Sequence, residues 1–330
     1  MTETNEHQLM ARAAWLYYLG GLNQKETSAR MGLTRARVNK LLQKARASGL
    51  VSISIDQRDI GLLPLEEAIQ SEFGLQFCIC TPSLGLSQTE IDAHENLADF
   101  PRRAVGSVAA KYLRDILVSN PNAVIGTGWG RTLEQMTLHM AGVKAPKARF
   151  ISLMGSLTAN SAFNPFEVVQ ALARATGAEG FFLPVPFIAD TKKDREVLLS
   201  QRTVARPLEL ARHADISLIS IGELTERSLL RQQDMISPKE LTALRNAGAV
   251  GDTNGIFFDK NGLPVAHPLN DRTLAVSFQD LKKSTTIILS AGSRKVEATC
   301  ALLRSGICKG LIIDGDSAHL LVKMIEKNKF

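Results

Sequence analysis

From about residue 75 to its end, the chain alternates short, unbroken apolar runs with longer stretches of helical periodicity. That alternation narrows the fold more than any other feature. The runs Ala123–Gly126 (AVIG), Phe150–Leu153 (FISL), Ile216–Ile221 (ISLISI), Thr285–Leu289 (TTIIL) and Gly310–Ile313 (GLII) read as strands. Helices are expected between them over Arg102–Val118, Arg131–Met140, Glu167–Thr176, Arg294–Leu303 and Ala318–Lys327. A strand that is apolar throughout needs cover on both faces, and a parallel sheet flanked by helices supplies it. The expectation is an α/β body with a mostly parallel, doubly covered sheet of Rossmann-like design. Such sheets bind ligands in the crevice beyond the C-terminal ends of their strands, so the loops leaving the strands are the places to search.

At 330 residues the chain has room for about two domains. Its net charge of +6 is placed unevenly. Residues 1–55 hold eight basic side chains (Arg12, Lys25, Arg30, Arg35, Arg37, Lys40, Lys44, Arg46) against Glu3, Glu6 and Glu26, so the excess sits in the first sixth of the chain. A basic head on a near-neutral body suggests a nucleic-acid reader attached to something else.

The pattern within that head sharpens the idea. His7–Leu19 reads as a helix ended by Gly20-Gly21, and Gln24–Met31 as a second, closed by Gly32, where the turn requires a left-handed backbone. Thr34 stands where an N-cap belongs, and a third helix runs from about Arg35 to Ala47 and stops at Gly49. Arg37, rather than Glu or Gln, follows Thr34 by three residues, so no capping box is expected there. Val38, Leu41, Leu42 and Ala45 form an inward stripe. The opposite face carries Ala36, Asn39, Lys40 and Gln43, with Arg35, Arg37, Lys44 and Arg46 beside it. Small and hydrogen-bonding groups flanked by cations suit a helix lying in a major groove, which is the helix-turn-helix arrangement. Arg35, Asn39 and Lys40 are the candidates for base contacts; Gln24, Arg37 and Lys44 are candidates for phosphates, with Thr34 and Ala36 completing the DNA-binding set. Leu50–Ile55 (LVSISI) alternates like a short strand and suits the wing of a winged helix-turn-helix. A helix from Pro64 to about Phe73 follows, with Leu65, Ile69 and Phe73 on one side, either a dimer contact or a packed bridge. The division expected is 1–56 for the DNA-binding domain, 57–73 for a linker and oligomerisation helix, and 74–330 for the effector-binding α/β domain.

Four loops of the body stand out. Gly126-Thr127-Gly128-Trp129-Gly130-Arg131-Thr132 follows a strand and opens a helix, where glycines let backbone N–H groups approach an anion. It is neither a Walker A loop nor a GxGxxG fingerprint. Ser290-Ala291-Gly292-Ser293-Arg294-Lys295 likewise joins strand to helix and puts a lysine in the first helical turn, a place that favours it only beside an anion. Met154-Gly155-Ser156-Leu157-Thr158 offers hydroxyls, and Gly251-Asp252-Thr253-Asn254-Gly255 offers a carboxylate and an amide. Asp314 and Asp316 end the last strand, as helix caps rather than metal ligands.

Other chemistries find little support. His7, His94, His139, His213, His267 and His319 show no metal-binding spacing, and no GxSxG nucleophile elbow occurs. Cys78 and Cys80 are not a redox CxxC pair, and with Cys300 and Cys308 they are too few for a disulfide framework. No metal, no cofactor and no catalytic residue is expected. The absence of a long apolar run or a signal-peptide core points to a cytoplasmic protein without membrane partners.

The N-terminal run Ala14–Val51, containing YYLGGLNQKETSARMGLTRARVNKLLQKARASGLV, resembles the head of the SorC-type sugar-binding transcriptional regulators. The resemblance continues through GTGWGRTL (Gly126–Leu133), LMGS (Leu153–Ser156), GDTNGIFFDKNG (Gly251–Gly262), SAGSRK and LIIDGDSAHLL (Leu311–Leu321), in the family's order. Thr27-Ser28 stands where the family usually has Ile-Ala, and Ala291-Gly292 where Gly-Gly is commoner. The resemblance implies an effector domain similar to ribose-phosphate isomerases and glucosamine-phosphate deaminases, assembled into homodimers or homotetramers. By that analogy Gly126, Thr127, Gly128 and Lys295 hold a phosphate and Asp252 a hydroxyl. Trp129, Arg131, Gly155 and Ser156 complete the expected effector site. The function implied is regulation of carbohydrate or polyol catabolism, through double-stranded operator DNA and a sugar-phosphate or polyol effector. The alternative is a sugar-phosphate isomerase or deaminase with an appended basic domain, for which Glu134 and Asp252 are the carboxylates near the loops.

Overall fold

The computed structural model describes residues 3–51, 53, 62–85, 88–93, 97, 99–156 and 164–327. Helix α1 (Glu3–Ala14) continues into a π-helical turn over Trp15–Leu19, and α2 (Gln24–Met31) and α3 (Arg35–Ala47) follow. A capping box that the sequence reading did not identify starts α2: Asn23 accepts from the backbone of Lys25 and Glu26, and Glu26 returns the favour to Asn23 N–H. Gly32 ends α2 at φ +65°, and the Thr34 hydroxyl accepts from Arg37 N–H to start α3. Val38, Leu41 and Leu42 bury against Ala13, with Leu9, Met10, Tyr17 and Met31 around them, giving the head its own small core.

The expected wing does not form where it is described. Leu50, Val51 and Ile53 carry no strand, and Ser52, Ser54 and Ile55 lie outside the described residues. Helix α4 (Leu63–Phe73) is also more than a linker. Ile69 is fully buried in the body's core, and Glu66 Oε1 accepts from Cys80 N–H at 2.7 Å. Burying such a side chain stabilises by ~2 kcal/mol, so α4 is fastened to the body.

Seven parallel strands make the body's sheet: β1 (Phe77–Cys80), β2 (Val124–Thr127), β3 (Arg149–Ser156), β4 (Glu179–Pro186), β5 (Ile216–Ser220), β9 (Thr285–Ser290) and β10 (Gly310–Ile313). Their order is β1-β10-β9-β5-β2-β3-β4. Alternate residues serve opposite faces: Leu218, Ile287, Leu289 and Ile312 join one core, while Ile219, Ile288, Leu311 and Ile313 join the other. The first face is covered by α5 (Phe100–Ser119), α6 (Arg131–Leu138) and α7 (Pro165–Thr176). On the second lie α4, α8 (Arg202–Arg212), α9 (Val296–Arg304) and α10 (Gly315–Lys327). The unbroken apolar runs thus have the two-sided cover they require.

The five runs expected as strands correspond to β2, β3, β5, β9 and β10; β1 is not among them, and neither is β4. Pro184 and Pro186 lie within it, and proline is admitted to a sheet at an edge, which is where β4 sits. A second, antiparallel sheet of β6 (Gly222–Glu223), β7 (Ala249–Thr253) and β8 (Ile256–Asp259) stands over the C-terminal end of the main one. Asn254-Gly255, both at positive φ, closes the β7–β8 hairpin. Among the described residues no helix is long and apolar enough to cross a membrane.

Candidate functional site

Two regions carry the candidate residues. On the head, the outward face of α3 meets solvent: Thr34, Arg35, Ala36, Asn39, Lys40, Gln43 and Lys44 are all exposed. Gln24 of α2 joins that face to its neighbour, donating from Nε2 to Asn39 Oδ1 at 3.5 Å and accepting from Arg35 Nε at 3.4 Å. Arg37 and Lys44 occupy the flank toward α1, where Glu6 receives Arg37 at 3.4 Å and Lys44 at 2.8 Å. The Lys44 contact holds Glu6 below the usual carboxylate range, with Arg37 and Lys40 adding to it. The eight proposed DNA-contacting residues therefore form one surface, its centre free of the protein's own interior and its flank held by an acidic clamp absent from the sequence reading.

The second region lies where the sheet's chain path reverses. β3 and β4 are added on one side of β2, and β5 is added on the other, so the loops after β2 and β5 diverge and leave a crevice. A cleft of about 460 Å³, part of it open to solvent, lies there. Trp129, Gly130 and Arg131 form one wall, Ser220–Glu223 with Ser228–Leu230 the other, and Asp252 and Lys295 meet across it. Ser220 braces the walls, its hydroxyl donating to Trp129 carbonyl at 2.6 Å.

The expected residues divide by position. Trp129, Arg131, Asp252 and Lys295 line the cleft. Gly126 and Thr127 belong to β2 itself, and Gly128 lies buried just beyond it, its N–H committed to Leu218 carbonyl at 2.9 Å. Gly155 and Ser156 do not line the cleft. Gly155 donates to Leu274 carbonyl and packs so close to Val185 and Pro186 that a Cβ would lie 2.3 Å from the Pro186 oxygen, and Ser156 carbonyl accepts from Phe187 N–H. Both are β3 residues facing β4, on the wrong side of β2 for the crevice. Leu157 and Thr158 of that loop lie outside the described residues. Ser220, Glu223 and Ser228 are not among the residues singled out from the sequence, because the segment 220–228 (SIGELTERS) has one glycine and no anion-binding motif, and neither is Arg102 on α5.

The electrostatics of the cleft are unbalanced. Arg131 and Lys295 are half-buried and neither makes an ion pair among the described residues. Burial lowers the Lys295 ammonium's pKa, Glu223 opposes, and Arg102 and Arg131 lower it further. Burial and Arg102 act likewise on Arg131. Three cations thus share one region, with Arg102 paired to Asp99 and Glu223 partly offsetting the other two, and the amides opening α6 face the same space without a side-chain cap at Gly130.

Against them, Asp252 is 3% exposed. Its Oδ2 accepts from Gly255 N–H at 3.3 Å, and its Oδ1 lies so close to Gly222 that a Cβ there would approach to 2.0 Å. Burial pushes this carboxyl up to about 7; the Gly255 bond opposes, Glu223 adds to the rise and Lys295 counters. Asp314, at the end of β10, fixes the lysine's loop: Oδ2 accepts from Gly292 N–H at 2.7 Å, while Oδ1 caps α10 at Ser317 N–H. The cleft thus carries cations on one part, Arg131 and Lys295, and carboxylate acceptors on another, Glu223 and Asp252.

Comparison with known proteins gives a consistent picture. A family model described as "Putative sugar-binding domain" matches residues 57–323. The chain is 35% identical over 317 residues to the erythritol catabolism regulatory protein EryD of Brucella abortus, covering 96% of this chain and 97% of that one. It is 26% identical over 328 residues to the deoxyribonucleoside regulator of Bacillus subtilis, covering 97% and 99%. Its fold is similar to the full-length sorbitol operon regulator SorC from Klebsiella pneumoniae, with a TM-score of 0.69 at 20% identity over 96% of this chain and 98% of that one.

Proposed function

Because the chain belongs to the SorC-type family of sugar-binding transcriptional regulators, we propose that it reads operator DNA with α3 and answers to a small phosphorylated sugar or polyol held in the β2–β5 cleft. The observation that carries the effector half is the pair of half-buried cations, Arg131 and Lys295, which make no ion pair among the described residues and lie beside the amides opening α6. An anion completes that arrangement, and Asp252 and Glu223 accept hydroxyls next to it. The similarity to an erythritol regulator supports a polyol as the hydroxylated part. The DNA half rests on the exposed face of α3, with Arg35, Asn39 and Lys40 toward bases and Gln24, Arg37 and Lys44 toward phosphates.

The division of labour follows the fold, with a DNA-binding head over residues 1–56 and an effector body to which α4 belongs. The protein works in the cytoplasm as a homodimer or homotetramer, since two heads reading two half-sites need a fixed spacing. It binds its effector without turning it over. Helix α6 supplies a physical connection. It starts at the cleft with Arg131 and ends at Leu138, whose carbonyl lies so close to Gly49 of the head that a Cβ there would approach to 2.7 Å.

The test is operator binding by the double variant Arg35→Ala, Lys40→Ala across a salt series. Binding is expected to weaken and its salt dependence to flatten, because lost phosphate or base-edge cations release fewer counterions. Unchanged binding removes α3 as the reading element. Release of product from phosphorylated sugars or polyols by the purified protein would overturn the binding-only reading.

A further inference from the structure

Asn254 has a feature that its turn does not explain. The Asn-Gly pair of a two-residue hairpin takes positive φ, which accounts for the backbone of Asn254 at φ 49°. Such a turn leaves the asparagine side chain free to face water. Here the residue is 2% exposed, and both ends of its amide, Oδ1 and Nδ2, are buried with no hydrogen-bond partner among the described residues. A buried primary amide has two donors and an acceptor to satisfy, and leaving all of them unmade is costly.

The direction of that side chain gives the observation its meaning. Oδ1 lies against Gly128, so close that a Cβ at 128 would sit 2.4 Å away. The amide therefore points at the turn that carries Trp129, Gly130 and Arg131, one residue behind the wall of the cleft. Thr127 at the end of β2 and Thr132 in the first turn of α6 flank that turn, and their buried hydroxyls also lack partners among the described residues. Of these side chains, Asn254 is the one that abuts the turn's own glycine. Asp252, two residues before Asn254, already lines the cleft from the same hairpin.

We infer that Asn254 is a specificity-determining residue that reads a hydroxyl of the effector adjacent to its phosphate, delivered as the Gly128–Gly130 turn shifts around the bound anion. This rests on the reading of the cleft as a phosphorylated-polyol site and adds the residue that distinguishes a hydroxylated chain from a bare one. A site whose buried polar groups are paired only by the correct ligand rejects the analogue that lacks the hydroxyl.

The experiment is calorimetric titration of the full chain and its Asn254→Gly variant, which tolerates the positive φ, with three probes: inorganic phosphate, erythritol 4-phosphate and 4-hydroxybutyl phosphate. The parent is expected to prefer erythritol 4-phosphate over 4-hydroxybutyl phosphate. The variant should lose at least tenfold of that preference and bind inorganic phosphate within twofold of the parent. The side chain removed is buried, so the glycine variant is expected to melt no more than a few degrees below the parent. Asn254→Asp, which has the same shape and also accepts positive φ, removes the amide's donors and carries the test if the glycine variant does not fold. A parent that binds none of the probes overturns the effector reading and this assignment with it. A parent that discriminates, with variants that discriminate equally well, overturns the role of Asn254 alone.

Discussion

Replacing Asp252 by Asn isolates the least comfortable group in the cleft. The carboxyl is almost fully enclosed, and its proton is held to about 7 instead of the ordinary 3.8, chiefly by burial. The folded protein therefore keeps a proton between those two values that the unfolded chain has released. Stability falls with pH wherever the native state binds more protons, so this group's contribution is whole below 3.8, drains away as pH rises toward 7, and is gone above it. At ~1.4 kcal/mol per tenfold change in proton affinity, that interval corresponds to ~4 kcal/mol. D252N has the same shape, can still accept from Gly255 N–H, and has no proton to lose. The ligand-free variant is therefore expected to outlast the parent above neutrality by up to ~4 kcal/mol, or ~8 °C in melting temperature. The two should converge as pH falls toward 4.5. Thermal melts of both proteins from pH 4.5 to 8.5 at constant ionic strength, without effector, give the comparison. Parallel curves, or a variant less stable than the parent at pH 8, would refute the claim that burial dominates at this carboxyl. The same substitution should weaken effector binding, because an amide accepts a ligand hydroxyl less strongly than a carboxylate.

The other expectations concern the cations and the head. Lys295→Ala should weaken a phosphorylated effector at least tenfold and leave effector-free operator affinity unchanged in fluorescence anisotropy; a normal effector response would remove the lysine from the site. Glu6→Gln breaks two surface pairs and should leave the melting temperature nearly unchanged. It should also free Arg37 and Lys44, and so steepen the salt dependence of operator binding by about one or two released counterions; a shallower dependence would show that the α1 flank does not meet DNA. A truncated protein of residues 62–330 keeps α4 and should fold and bind effector by calorimetry, whereas an unfolded product would show that the head is part of the body's core.

What could be read from the residues was whatever depends on local periodicity. The strands that carry Ile125, Leu218, Ile287 and Ile312 are nearly unbroken apolar runs, and that alone demands two covering layers. The three-helix head was legible for the same reason, since Val38, Leu41, Leu42 and Ala45 fall on one side and the cations on the other. Strand β4 escaped because its prolines argue against a strand unless its edge position is known, and edge position is a tertiary fact. Loop chemistry singled out Trp129, Arg131, Asp252 and Lys295, which line one cleft, but the choice between neighbours of β2 required the strand order. Gly155 and Ser156 follow a strand as promising as any other, yet that strand lies on the far side of β2. Ser220, Glu223 and Ser228 were invisible for the converse reason, because their loop is ordinary in sequence and becomes special only by facing the Trp129 turn.

The connection between cleft and head sets a physical limit on how this regulator can respond. At 1.5 Å per residue, the eight residues of α6 span about 12 Å, one end at Arg131 and the other beside Gly49. The helix does not move alone. Gly106 of α5 sits so close to the backbone of Gln135 and Met136 that a Cβ would come within 2.8 Å, which keys the two helices together. The next residue, Ser107, donates its hydroxyl to Ile53 carbonyl at 3.2 Å, a second contact beyond the end of the reading helix. A shift at the start of α6 is therefore carried by a packed pair, and dense packing favours a step between discrete arrangements over gradual bending. The effector can drive that step only by its difference in affinity for the two arrangements. Moving the population from one in a hundred to ninety-nine in a hundred requires ~5.5 kcal/mol of preference. An anion that relieves the mutual crowding of Arg102, Arg131 and Lys295 in one arrangement and not in the other is a direct source of such preference. A neutral ligand of the same shape would have to find that energy in hydroxyl contacts alone.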